Sequence, residues 1–207
     1  MIENNITYGE QLPVMELFYS IQGEGKHTGK AAFFIRLAGC DVGCHWCDVK
    51  ESWNKSKHPL KHIKELVQEV KKSGAPIVII TGGEPTMYPL EKLTQALKKE
   101  GLLVHLETSG AYTITGTFDW ICVSPKKRKL PLKESLQKAD ELKVVIYNKD
   151  DFNWAENNAL DVKENCALFL QPEWSKANSV MHWITGYIKE KPKWVVSLQT
   201  HKYLNIP

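Results

Sequence analysis

Phe33-Phe34-Ile35-Arg36-Leu37-Ala38-Gly39-Cys40-Asp41-Val42-Gly43-Cys44-His45-Trp46-Cys47-Asp48 joins a short apolar run to three cysteines within eight residues. The run Ala32–Leu37 has the length and composition of a strand, and Gly39 and Gly43 mark the segment after it as a loop. The spacing C-x-x-x-C-x-x-C places Cys40, Cys44 and Cys47 close enough to wrap one metal cluster. Structural zinc sites and ferredoxin clusters take four protein ligands, so three thiolates on a four-iron cluster leave one iron open to a small molecule. Zinc, with His45 or Asp48 as a fourth ligand, is the competing reading, although zinc signatures favour two separate pairs. Trp46, between two ligands, shields a cluster from solvent or is ordinary packing. Cys122 and Cys166 each lie inside an apolar run and read as small hydrophobes outside the site.

Around this segment the chain alternates short apolar runs with amphipathic stretches. Strands are predicted at Met15–Tyr19, Ala32–Leu37, Ile77–Thr81, Leu103–Glu107, Trp120–Ser124, Leu142–Tyr147, Ala167–Gln171 and Trp194–Leu198. Helical spacing recurs in Leu60, Ile63, Leu66, Val67 and Val70 before Gly74, and in Leu90, Leu93, Ala96 and Leu97 before Gly101. Leu132, Leu136 and Ala139 form a weaker stripe, and Val180, Trp183, Ile184 and Ile188 a fourth. Strand–helix–strand alternation argues for an α/β fold with a mostly parallel sheet. At 207 residues the chain is short for an eight-unit barrel, so a partial, open TIM-like barrel with outer helices is expected. No linker or repeat divides it, and residues 1–207 read as one domain.

In such folds function gathers beyond the C-terminal ends of the strands. The segments there are Thr81-Gly82-Gly83-Glu84-Pro85, Glu107-Thr108-Ser109-Gly110, Ser124-Pro125-Lys126, Gln171-Pro172-Glu173 and Gln199-Thr200-His201-Lys202. The opposite rim holds plain connectors such as Lys71-Lys72-Ser73-Gly74. Gly82-Gly83 allows close backbone approach to a bound amino-acid moiety, and the Glu84 carboxylate suits an ammonium; the bland alternative is a tight turn.

The cysteine triplet followed by Gly-Gly-Glu-Pro resembles the radical S-adenosylmethionine (SAM) enzymes. That resemblance implies a [4Fe-4S] cluster on Cys40, Cys44 and Cys47, a SAM methionyl group on the open iron, and a deoxyadenosyl radical from one-electron cleavage. From Ser20-Ile21-Gln22-Gly23-Glu24-Gly25 through Arg36 to Gln199-Thr200-His201-Lys202 and the terminal Pro207, the chain closely resembles one branch, the 7-carboxy-7-deazaguanine synthases of the queuosine (tRNA-modification) pathway. Those lyases convert 6-carboxy-5,6,7,8-tetrahydropterin to 7-carboxy-7-deazaguanine with loss of ammonia. Carried over residue by residue, the resemblance implies SAM contacts from Trp46, Cys47, Asp48, Gly82, Gly83, Glu84, Ser109, Ser124, Pro125, Lys126, Gln171 and Pro172. It implies pterin contacts from Ile21, Gln22, Gly23, Glu24, Arg36, Thr81, Glu107, His201 and the Pro207 carboxylate, with Glu24, Arg36 and His201 closest to the chemistry. The chemistry is consistent: carboxylates accept from an aminopyrimidine edge, and Arg36 is a fork for a carboxylate. Relatives commonly carry a hydroxyl residue two places after the last cysteine as a magnesium ligand. Val49 stands there and cannot ligate a hard cation, which puts Mg²⁺ in doubt.

Formal net charge is +3, too mild to argue for direct nucleic-acid binding. The basic run Lys126-Lys127-Arg128-Lys129 reads as a solvated loop. Met1-Ile2-Glu3-Asn4-Asn5 has no signal-peptide core, and the apolar runs are too short to span a bilayer, so a cytoplasmic enzyme with no membrane contact is expected. The resemblance implies a homodimer reduced by a flavodoxin- or ferredoxin-like donor. Two rivals are an activase that makes a glycyl radical on a protein partner, and a zinc or nucleic-acid adaptor built on the basic run.

Overall fold

The computed structural model describes residues 10–207; the reading of Met1 to Asn5 lies outside them. Among the described residues nine strands form one sheet: β1 (Gln11–Ile21), β2 (Ala31–Leu37), β3 (Leu60–His62), β4 (Ile77–Gly82), β5 (Leu103–Thr108), β6 (Trp120–Val123), β7 (Glu141–Ile146), β8 (Ala167–Pro172) and β9 (Trp194–Val196). Their order is β3-β1-β2-β4-β5-β6-β7-β8-β9. From β2 to β9 every neighbouring pair is parallel, while β1 pairs antiparallel with β2 and β3. The two ends of the order do not pair, so the barrel is open, as expected.

The helices α1 (Ile63–Ser73), α2 (Glu91–Lys99), α3 (Lys133–Lys138), α4 (Asp150–Ala159), α5 (Ala177–Glu190) and α6 (Thr200–Leu204) connect or follow the strands. The apolar stripe of α1 (Ile63, Leu66, Val67 and Val70) is buried. Gly74, at φ 69°, ends that helix in the left-handed region, which costs a glycine little. Leu60 departs from the expected helix: it belongs to β3 and is half exposed. The helix α4 went unpredicted because its buried residues, Phe152 and Ala155, are interrupted by Asn and acidic side chains.

Strand alternation sorts the side chains into two sets. Ile35, Leu37, Val78, Ile80, Val104, Leu106, Val123, Leu142, Val144 and Leu170 join the helices in the main core. Their in-between neighbours face the other way. At the near end of the sheet these are Phe34 and Ile79, in a small separate cluster with Ala32, Ile77 and Phe18. Farther along, the same parity selects Arg36, Thr81, Glu107, Cys122, Glu141, Lys143 and Gln171. Their register partners (Arg36 with Thr81, Glu107 with Cys122, Cys122 with Glu141, Val145 with Gln171) place them side by side on this inner face.

Candidate active site

The cysteine loop leaves β2 and folds back over the sheet's C-terminal rim. Gly39 N–H donates to Ser52 O at 2.6 Å, and Cys47 N–H to Cys44 O at 3.2 Å. The loop after β4 is laced to it: Gly83 N–H donates to Leu37 O and Glu84 N–H to Gly39 O, both at 2.9 Å. A Cβ on Gly83 would lie 2.3 Å from Gly39 O and 2.8 Å from Cys40 Cβ. The second glycine of the Gly-Gly pair is therefore required by the approach of these loops to one another.

Cys40, Cys44 and Cys47 are free, half-buried thiols on the wall of one cavity of about 260 Å³. Burial pushes the Cys40 and Cys44 thiols up, so their thiolates call for a cation to compensate them. Among the described residues no three His, Cys, Asp or Glu side chains converge on a single ion, whereas a four-iron cluster takes each thiolate on its own iron. A half-buried, three-thiolate wall beside a cavity fits such a cluster. Trp46 lines the same cavity and stacks on Tyr147, ring centroids 5.9 Å apart.

Gly82, Gly83, Ser109, Ser124, Lys126, Asp48, Gln171 and Pro172 complete this cavity's wall. Pro125 is buried and does not reach the wall. The Glu84 carboxylate is 1% exposed and already filled: one oxygen accepts from Thr86 N–H (3.1 Å), the Thr86 hydroxyl (2.7 Å) and the Thr108 hydroxyl (2.5 Å), the other from Ser109 N–H (2.8 Å) and the Ser109 hydroxyl. Five donors occupy the lone-pair sites of one carboxylate, so Glu84 clamps the β4 and β5 loops together while lining the cavity beside Gly82 and Gly83. The basic run is exposed at Lys127 and Arg128, as a solvated loop would be, but it is also tied down. Lys126 Nζ donates to the Ser124 carbonyl and hydroxyl, both at 2.6 Å, Arg128 to Gly43 O at 2.7 Å, and Lys129 to Asp41 at 2.6 Å. It braces the cysteine loop from behind. Burial lowers the Lys126 ammonium's pKa, while the nearby Cys44 acts in the opposite direction.

A second cavity, about 180 Å³, adjoins the first and is lined by Ile21, Gln22, Gly23, His201 and Pro207. Glu24, Arg36, Asp48, Val49, Thr81, Glu107 and Gln199 line both. Arg36 also makes an ion pair: its Nε donates to Glu16 at 2.5 Å, and its guanidinium lies 5.5 Å from the Phe18 ring centroid. That pair aims the fork; among the described residues no acceptor holds its two terminal nitrogens. The C-terminal segment is sewn onto the β1–β2 loop. Thr200 N–H and its hydroxyl both donate to Gly23 O at 2.9 Å, Gln199 Nε2 to Glu24 at 2.9 Å, and the Ser20 hydroxyl to Pro207 O at 3.0 Å. Lys202 pairs with Asp48 at 2.9 Å. A Cβ at Gly23 would stand 2.2 Å from His201 Nδ1, so the loop's glycine makes room for that imidazole. Burial lowers the His201 pKa against the pull of Glu24, which favours the neutral ring.

Sequence reading missed Lys143, whose Nζ donates to Glu24 at 2.6 Å and Glu107 at 2.9 Å. A lone lysine inside the apolar strand Leu142–Tyr147, at a position with inner-face parity, was the available signal. Gln22 Nε2 donates to the other Glu107 oxygen at 3.1 Å. Burial alone would raise the Glu24 pKa, but Lys143 and Gln199 hold it at about 2.

Comparison with known proteins agrees with this geometry. Residues 34–148 match the family described as the Radical SAM superfamily. A 7-carboxy-7-deazaguanine synthase of Flavobacterium psychrophilum is 57% identical over 206 residues, covering 100% of this chain and 98% of its own. The Synechocystis enzyme of that name is 49% identical over 94% of this chain and 93% of its own. The crystal structure of QueE from Escherichia coli superposes with a TM-score of 0.83 at 30% identity, covering 91% of this chain and 93% of that one. Among the described residues no helix is long and apolar enough to cross a membrane. The chain belongs to the radical SAM superfamily and, within it, to the 7-carboxy-7-deazaguanine synthase family.

Proposed function

We propose that this chain, acting as one catalytic domain, converts 6-carboxy-5,6,7,8-tetrahydropterin to 7-carboxy-7-deazaguanine with release of ammonia, as a queuosine-pathway lyase of the cytoplasm. The observation that carries this reading is the pair of adjoining cavities. One is walled by Cys40, Cys44 and Cys47, and the other by His201 and Pro207, with Glu24, Arg36 and Glu107 on the shared wall.

When bound through the three cysteines, the cluster and SAM supply a one-electron route to taking a hydrogen atom from the pterin's C6. The chain's own residues do the rest. Gly82 and Gly83 bring backbone close to the amino-acid end of SAM, beside Trp46, Asp48, Ser109, Ser124, Lys126, Gln171 and Pro172. Glu24 and Glu107 accept from the aminopyrimidine edge, with Gln22 and Thr81 alongside. Arg36 offers its terminal nitrogens to the pterin carboxylate. His201, packed on Gly23 and neutral, exchanges a proton or hydrogen bond at the ring. The walls hold one C–H bond in place, where an error of ~1 Å costs about a hundredfold in rate.

The test is anaerobic reconstitution with iron and sulfide, followed by assay with SAM, reductant and the pterin. Pterin-dependent formation of 7-carboxy-7-deazaguanine supports the reading. Formation of 5′-deoxyadenosine with the pterin recovered unchanged supports the activase rival, and zinc without iron after anaerobic purification supports the adaptor. A homodimer and a flavodoxin- or ferredoxin-like donor belong to the same proposal.

Two predictions follow from the walls. The Pro207 oxygen is held by the Ser20 hydroxyl and Pro207 lines the substrate cavity, so Ser20→Ala, which releases that segment, is expected to raise KM by about 3–10-fold. Steady-state kinetics of the variant and the wild type check this, and equal values would refute it. Val49 lines both cavities with an apolar side chain, so turnover is expected to gain little from Mg²⁺. A saturable Mg²⁺ requirement abolished by chelation would overturn that.

A further inference from the structure

On the inner face of the sheet one ammonium stands between two carboxylates that come from distant parts of the chain. Lys143 on β7 is 4% exposed. Its Nζ lies 2.6 Å from Glu24, in the loop after β1, and 2.9 Å from Glu107, at the end of β5. No loop motif or metal pattern requires a lysine there. A buried ammonium is costly unless paired, and this one is paired only with the two carboxylates assigned to the aminopyrimidine.

The hydrogen-bond inventory shows what the pairing leaves open. One Glu24 oxygen accepts from Gln199 and the other from Lys143; one Glu107 oxygen accepts from Gln22 and the other from Lys143. An ionised carboxylate offers about four lone-pair sites, so each acid keeps about two for a ligand. Without a cation, two carboxylates at one buried site do not both ionise easily.

We propose that Lys143 is a positioning residue that keeps Glu24 and Glu107 together as anions, so that both remain acceptors for the N–H groups of the substrate's aminopyrimidine ring. The inference rests on the function proposed above.

The surrounding charges agree. Glu141 and Cys122 stand beside Lys143 on the inner face, Lys126 and His201 lie farther out, and His27 faces Glu107. Burial alone would lower the Lys143 pKa, but its anionic surroundings raise it well above the usual lysine range. The ammonium therefore stays charged through the working pH range. Glu24, held at about 2, stays ionised from mildly acid pH upward. Glu141 is a separate matter: burial raises its carboxyl pKa, and one of its oxygens accepts from both Lys26 N–H and Trp120 Nε1, each at 3.1 Å, which fixes the loop beside Glu24.

The sign of the pH effect follows. With Lys143 in place, Glu24 stays ionised and leaves pterin affinity level from pH 6 to 8. Without it, one acid's pKa rises, so that acid becomes protonated as pH falls, and an acceptor is lost. Affinity then weakens toward low pH and recovers toward high pH.

The test uses the reconstituted holoenzyme with SAM but no reductant and measures equilibrium binding of 6-carboxy-5,6,7,8-tetrahydropterin across that pH range. Lys143→Met is expected to weaken binding about a hundredfold at neutral pH and to make it pH-dependent, while iron content stays unchanged. Lys143→Arg, which keeps the charge, is expected to restore the level profile. If Lys143→Met does not fold, Lys143→Gln, which keeps a polar side chain but no charge, leaves Glu24 and Glu107 without their cation and is expected to show the same acid-side weakening. Level, tight binding in whichever variant folds would overturn the inference. Wild-type protein that binds no pterin would instead overturn the functional reading on which it rests.

Discussion

Cys44→Ala is expected to abolish turnover, a fall of at least about 10⁶-fold, because without the cluster only the uncatalysed reaction remains. The sulfur sits at the middle of the three-cysteine wall, half-buried, with its thiol pushed up by burial. The nearby Lys126 and Arg128 charges oppose that shift without cancelling it. Two thiolates leave a cluster short of one protein ligand. Iron content should fall with activity, while the far-ultraviolet circular dichroism stays that of the wild type. That last point follows from the fold: the loop is fastened by backbone bonds such as Gly39 N–H to Ser52 O and by Arg128 to Gly43 O, not by the sulfurs. A Cys44→Ala protein with full iron and full turnover would contradict the cluster assignment.

Gly82→Ala is expected to destabilise the fold by about 3–5 kcal/mol, a large share of the 5–15 kcal/mol typical of a domain. Gly82 has φ 142°, where an L side chain is strained, and an added Cβ would meet Leu37 O at 2.1 Å and Leu37 N at 2.5 Å. These are backbone atoms of the neighbouring strand, paired in register with Gly82 itself, so no rotamer change relieves the contact. Strand β2 would have to shift, and the cysteine loop begins one residue beyond Leu37 and Ala38. A loss of about 10 °C in Tm or more is expected for a chain of this size, with weaker cluster retention. Thermal unfolding and iron analysis of the apo and reconstituted variant check both effects. An unchanged Tm would mean that the strand ends do not approach as closely as described.

The sheet was largely legible because its parallel strands are short, apolar and bounded by turn residues, as in Ile77–Thr81 before Gly82. The antiparallel β1, running from Gln11 to Ile21, was seen only in its middle. Its outer residues Gln11, Leu12 and Pro13 include a proline, which argues against a strand, and pair with β3, a strand of three residues that no pattern announces. The cysteine triplet and the rim segments were legible because chemistry needs particular residue types at fixed spacing. What those side chains do was less so. Glu84 reads as a ligand acceptor until the five donors around it appear, and those come from residues 86, 108 and 109, two of them more than twenty positions away. Lys143 shows the converse. One charged residue in an apolar run carries little weight alone, and its importance comes from Glu24 and Glu107, which only the folded sheet brings to it.

The central claim is that one site holds a radical-generating half and a pterin-reading half. The most direct measurement is the balance sheet of the reconstituted enzyme: pterin consumed, 7-carboxy-7-deazaguanine formed and ammonia released, in one anaerobic reaction with SAM and reductant. The account predicts one product and one ammonia for each pterin consumed, with all three absent when SAM is omitted. Cleavage of SAM at an undiminished rate, with the pterin intact and no ammonia, would contradict it.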